Sequence, residues 1–129
     1  MILGIGTDLV QISRIEEMLK TFGSSFENKV FTDLEQKKAA SLPQNKRASF
    51  YAKRFAAKEA VYKAFSPETM DEITWHDAEI MKRPNGKPVM KLNGKLAEIA
   101  EERGLIAENI DVSLSHDEVY ATATVVINK

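Results

Sequence analysis

Cysteine is absent from all 129 residues, which excludes disulfides, thiolate metal ligands and a thiol nucleophile. That fits a reducing compartment. No apolar run is long enough to cross a bilayer. The opening MILGIGTDLVQI has no basic flank and is interrupted by Asp8, so it is not a secretory signal. A soluble cytoplasmic protein with no membrane attachment is expected. GIGTD lacks the third glycine of a dinucleotide fingerprint. His76 and His116 have neither a cysteine partner nor a zinc-type spacing. Repeats, low-complexity tracts and linkers are also missing, and the length suits one domain, residues 1–129.

What the chain does have is charge in blocks. The net charge of −1 conceals residues 37–63, where eight cations (Lys37, Lys38, Lys46, Arg47, Lys53, Arg54, Lys58 and Lys63) face only Glu59. The segments on either side are acidic. A basic block in an acidic chain suits an anionic ligand or partner, or else a solvated face.

The periodicities outline an α+β fold, an antiparallel sheet packed with helices. MILGIGTD alternates as a strand, with Gly4, Gly6 and Asp8 on one face and Leu3, Ile5 and Thr7 on the other. Ile12, Ile15, Leu19 and Phe22 mark a helix that Gly23 stops. Thr32 and Glu35 form a capping box, so Glu35 reads first as a helix initiator. A long basic helix runs from about Lys46 to Phe65 and ends before Pro67. Asn85-Gly86 centres a hairpin, Asn93 can cap a helix ended by Gly104, and residues 109–128 read as two strands around a turn at His116-Asp117.

The long helix raises the functional question. In RFAAKEAVYKAF, Lys58 projects among Tyr51, Phe55, Tyr62 and Phe65, and Glu59 lies beside their edge. A charge there is costly unless it is paired or bound to a ligand. A Lys58/Glu59 pair and a ligand site both satisfy that condition. A nucleic-acid surface is disfavoured, because the aromatics share one stripe and read as core. Asp8, ending an apolar strand, is either a helix cap or a partner for Glu59. Two carboxylates converging from different elements suit Mg²⁺, completed by substrate phosphates.

GIGTDLVQISRI, FTDLE, RFAAKEAVYKAF, NGKP and VSLSHDEVYATATV occur here in that order and span nearly the whole chain. Together they resemble the holo-[acyl-carrier-protein] synthase family, the small trimeric class of 4′-phosphopantetheinyl transferase. The resemblance implies transfer of 4′-phosphopantetheine from coenzyme A to a serine of apo-acyl carrier protein. Adenosine 3′,5′-bisphosphate is released, and the reaction serves fatty acid biosynthesis. It implies Mg²⁺ on Asp8 and Glu59, and a homotrimer with active sites between subunits. Arg54, Lys58, Lys63 and His116 become the expected coenzyme A contacts, with Arg54 and His116 on the 3′-phosphate. A metal-bound water oriented by Glu35 or Glu59 is the expected base. Arg14 and Met18 on the first helix are the expected carrier-docking residues.

The chain departs from the family pattern twice. The segment SPETMDEI follows KAF in place of a glycine-containing loop, and its Glu68 is expected to weaken coenzyme A binding. Asp117 follows His116 where threonine is common, adding a second negative charge near the expected phosphates.

Overall fold

The computed structural model describes residues 1–129. Strand β1 (Ile2–Gln11) leads into α1 (Ile12–Phe22), α2 (Ser24–Val30) and α3 (Asp33–Ala40). The long α4 (Gln44–Phe65) precedes a hairpin of β2 (Ala78–Lys82) and β3 (Pro88–Leu92). Helix α5 (Gly94–Glu102) and the strands β4 (Ile110–His116) and β5 (Tyr120–Asn128) complete the chain. The expected α+β architecture is present: an antiparallel sheet ordered β1-β5-β4, a separate β2-β3 ribbon, and α4 packed across β1 and β5. No helix is long and apolar enough to cross a membrane.

The position of β1 depends on its two glycines. A Cβ on Gly6 would lie 1.9 Å from the carbonyl oxygen of Ala60, and one on Gly4 would lie 2.2 Å from that of Ala64. Both helix residues are alanines, so strand and helix backbones meet with no side chain between them. Alternation then puts Leu3, Ile5 and Leu9 on the opposite face, 51%, 66% and 64% exposed. The same alternation turns Asp8 towards α4.

Several local expectations hold. Thr32 and Glu35 close a reciprocal capping box on α3, and Gly23 ends α1 with φ 55°. Gly86 turns the β2-β3 hairpin with φ 88°. Asp117 also finds its role here. Its Oδ1 accepts the amides of Val119 (2.8 Å) and Tyr120 (2.7 Å), closing the β4-β5 turn. Those donors hold its carboxyl below the usual range, so the charge is engaged by backbone.

Two local details differ. Asn93 does not cap α5; its side chain donates to the His76 carbonyl at 3.2 Å. Asp77, from a preceding 3-10 turn, accepts the Leu96 amide instead and caps α5 from outside the helix. Helix α4 ends on Ser66 in the left-handed region, φ 44° and ψ 59°, where a Cβ is strained. Ser66→Gly is expected to raise stability by up to about 1 kcal/mol, read as a higher urea midpoint with an unchanged slope.

Candidate active site

Three of the expected residues come together where β1 crosses α4. Lys63 Nζ, one turn beyond Glu59, reaches Asp8 Oδ1 at 3.2 Å and the Thr7 carbonyl at 3.0 Å. Glu59 is half-buried, and burial followed by the Asp8 charge raises its pKa, against opposing pulls from Lys63 and Arg14. Two carboxylates that repel each other beside one partly exposed cation form a site that a divalent ion would relieve. No third acid or histidine joins them. The donor set therefore fits Mg²⁺, which keeps positions for water and substrate oxygen.

The Glu59 shift has a definite sign. A carboxylate whose folded pKa exceeds its unfolded one weakens the fold when ionised, and that penalty disappears as pH falls through the folded value. In chelator, the parent protein should therefore gain stability relative to Glu59→Gln between neutral pH and the carboxylate range. Denaturant midpoints at several pH values check this.

From Glu59 and Lys63 a cleft of about 420 Å³ opens along α4, walled by Tyr62, Met70, Ile73 and Trp75. The charged residues lie on α4, and the segment that follows it supplies most of the apolar lining. Trp75 stacks on Phe55 at 5.0 Å and meets the edge of Tyr62. Sequence reading assigned Tyr62 to the core and did not single out Trp75. The only signal was a lone tryptophan placed just after the loop that follows α4. Arg14 is exposed on α1, with its guanidinium 5.9 Å from the Phe55 ring. Met18, one turn further on, is half-buried against the core.

Lys58 and Glu35 are elsewhere, and both expectations for them are corrected. Lys58 is 0% exposed, and its ammonium donates to Glu35 Oε1 at 2.8 Å and to the carbonyls of Trp75 and Ala78. Its three protons are thus used inside the protein, leaving none for a phosphate. Glu35 is equally committed, accepting the Thr32 amide on Oε1 and the Ile80 amide on Oε2. It does not join Asp8 and Glu59 and has no oxygen free to orient a catalytic water. The lysine's partner is also not its neighbour Glu59, the pair that sequence proximity suggested. Burial lowers the Lys58 pKa and Glu35 opposes the shift.

Arg54 sits on another side of α4. Its guanidinium is buried, lies 3.8 Å from the centre of the Phe50 ring, and leaves Nε and Nη1 without partners. Burial pushes its pKa down and Glu35 opposes this, but a guanidinium remains cationic at neutral pH. It faces a second cleft of about 550 Å³ with Lys38, Lys82, Arg83, Pro84 and Gly86. Two unsatisfied donors beside clustered cations suit an anion. His116 is exposed at the end of β4, where slight burial and the Lys53 charge lower its pKa. Thus the Asp8–Glu59 pair and Arg54 face different clefts along α4.

Comparison with known proteins assigns this arrangement to a class. The profile of the 4′-phosphopantetheinyl transferase superfamily matches residues 4–124. The holo-[acyl-carrier-protein] synthase of Bartonella quintana is 41% identical over 130 residues, covering 98% of this chain and 96% of the relative. The crystal structure of the Neisseria meningitidis holo-[acyl-carrier-protein] synthase superposes with a TM-score of 0.88 at 33% identity, covering all of both chains. That of Helicobacter pylori, solved with coenzyme A, gives 0.80 at 30% identity over 96% of this chain and 99% of that one. The chain belongs to the 4′-phosphopantetheinyl transferase superfamily and, within it, to the holo-[acyl-carrier-protein] synthase family of enzymes.

Proposed function

We propose that this protein transfers 4′-phosphopantetheine from coenzyme A to a serine of apo-acyl carrier protein. The reaction releases adenosine 3′,5′-bisphosphate and supports fatty acid biosynthesis in the cytoplasm. The observation that carries this reading is the convergence of Asp8 and Glu59 beside Lys63, at the charged wall of a half-apolar cleft. Asp8 and Glu59 hold Mg²⁺, which when bound neutralises charge on the diphosphate.

In the transfer, the serine oxygen bonds to the pantetheine-side phosphorus. The bond from that phosphorus to the bridging oxygen breaks, and its electron pair leaves with the bisphosphate. Such reactions depend chiefly on positioning and charge neutralisation. Lys63 contributes a cation at the reacting end. Glu59, whose proton affinity is raised, orients the water that accepts the serine proton. Arg54 offers its two unpaired donors to the 3′-phosphate, and His116 is a second hydrogen-bond donor for that group.

The separation of Arg54 from Glu59 supports a homotrimer in which neighbouring copies complete each site. The exposed apolar row Leu3, Ile5 and Leu9 offers a face for that assembly. Arg14 and Met18 dock the acidic carrier, and the Arg14 charge opposes the upward shift of Glu59.

The test is intact mass of an apo-carrier after incubation with the protein, coenzyme A and Mg²⁺. The expected result is a gain of one phosphopantetheine, lost in EDTA and restored by excess Mg²⁺. No gain across several carriers, with the protein folded, would overturn the reading and leave a carrier-binding module without transfer.

A further inference from the structure

Helix α4 carries two parallel pairs with four-residue spacing. Glu59 and Lys63 face the reacting end of the cleft. One residue earlier in each case, Lys58 and Tyr62 hold backbone carbonyls of the segment that follows the loop. Lys58 Nζ donates to the carbonyls of Trp75 (3.0 Å) and Ala78, and the Tyr62 hydroxyl donates to that of Thr74. Glu35, from α3, fixes the ammonium at 2.8 Å. The anchored segment supplies Thr74 and Trp75 to the cleft, with Ile73 beside them. The far wall of the substrate cleft is therefore suspended from α4 by hydrogen bonds to its backbone carbonyls.

We infer that the Glu35–Lys58 pair, with Tyr62, is a positioning device that sets the apolar wall at Trp75 against the uncharged pantetheine arm of coenzyme A. The inference rests on the proposed substrate. The α4 wall of the cleft, with Glu59 and Lys63, takes the diphosphate, and the facing segment with Met70, Ile73 and Trp75 then receives the arm. Lys58 touches no substrate; it acts through the position of Trp75. Its ammonium carries three N–H bonds and is met by three acceptors, an arrangement that fixes the segment more tightly than one bond would.

The test compares coenzyme A with 3′-phosphoadenosine 5′-diphosphate, which keeps the diphosphate and lacks only the arm. Calorimetric binding of each is measured on the parent protein and on a double variant, Glu35→Gln with Lys58→Met. Removing both members together leaves neither of the pair as an unpaired buried charge, and the urea midpoint of the double variant shows whether it folds. Affinity for coenzyme A should fall at least about tenfold and affinity for the armless nucleotide by less than about twofold, a differential of roughly 1.4 kcal/mol. In turnover, KM for coenzyme A should rise with kcat within about threefold. Emission of Trp75, the single tryptophan, should shift to the red.

Equal loss for both ligands, or no loss for either, would overturn the inference. Tyr62→Phe, which removes one hydrogen bond to the same segment, decides the matter if the double variant does not fold. It should show the same preference at about threefold, and equal effects on both ligands would sink the proposal. Binding is read without turnover. A parent protein that binds coenzyme A but modifies no carrier would defeat the proposed transfer while still deciding the role of the pair.

Discussion

Gly6→Ala is expected to destabilise the protein by about 3 kcal/mol or more and to abolish transfer even in the fraction that remains folded. The new Cβ would lie 1.9 Å from the Ala60 carbonyl oxygen and 2.9 Å from the Ala64 nitrogen. Those are backbone atoms of α4, so no rotamer change can relieve the clash. Either β1 lifts from the helix or the helix bends. Asp8 follows Gly6 on the same face of β1, and Glu59 precedes Ala60 on α4, so any such movement separates the two carboxylates. Gly104→Ala, outside both clefts, is the control, because its Cβ would meet only the flexible end of the Lys129 side chain and the backbone at φ 69° is strained. It should cost about 1 kcal/mol and leave transfer intact. Urea unfolding and carrier mass analysis on both variants separate the outcomes.

Glu59→Gln and Asp8→Asn should each lower transfer at least about 1000-fold, a barrier increase of roughly 4 kcal/mol, without loss of fold. In chelator the variants should be as stable as the parent or more so, since each removes one of two repelling carboxylates. Added Mg²⁺ should stabilise the parent by about 1.4 kcal/mol at ten times its dissociation constant and the variants much less. A variant that keeps full transfer would remove that residue from the metal site. The pairing of lost activity with undiminished stability marks a functional site, because a packing residue would lose both together.

Much of this was legible in the sequence where the information is local. The capping box at Thr32 and Glu35, the stop at Gly23, the turn at Gly86 and the alternation along β1 depend on residues a few positions apart. The ordered motifs carried Asp8 and Glu59, which local periodicity alone left open between cap, ion pair and ligand. Helix α2 was not anticipated, because SSFENKV is too short to show a repeat. What local pattern could not supply was the partner of a buried charge. Lys58 reads as anomalous among aromatics, but its counter-ion lies on α3 and two of its acceptors are backbone carbonyls beyond the loop. For the same reason, Glu35 in its cap looks like a free carboxylate until β2 supplies the Ile80 amide and α4 supplies Lys58. The cap of α5 illustrates the point again: Asn93 is in the right place, but Asp77 takes the role through space.

The pairing of β1 with β5 has a consequence for how the protein is made. Asp8 lies opposite Ala123, so the strand that carries it is synthesised long before its neighbour in the sheet. Until β5 emerges, β1 has α4 to lie against but no ladder for its amides and carbonyls. Such long-range pairings close slowly and late in folding. A nascent chain therefore contains both Asp8 and Glu59 well before it can hold them in register. The two carboxylates come into register only once β5 has joined the sheet.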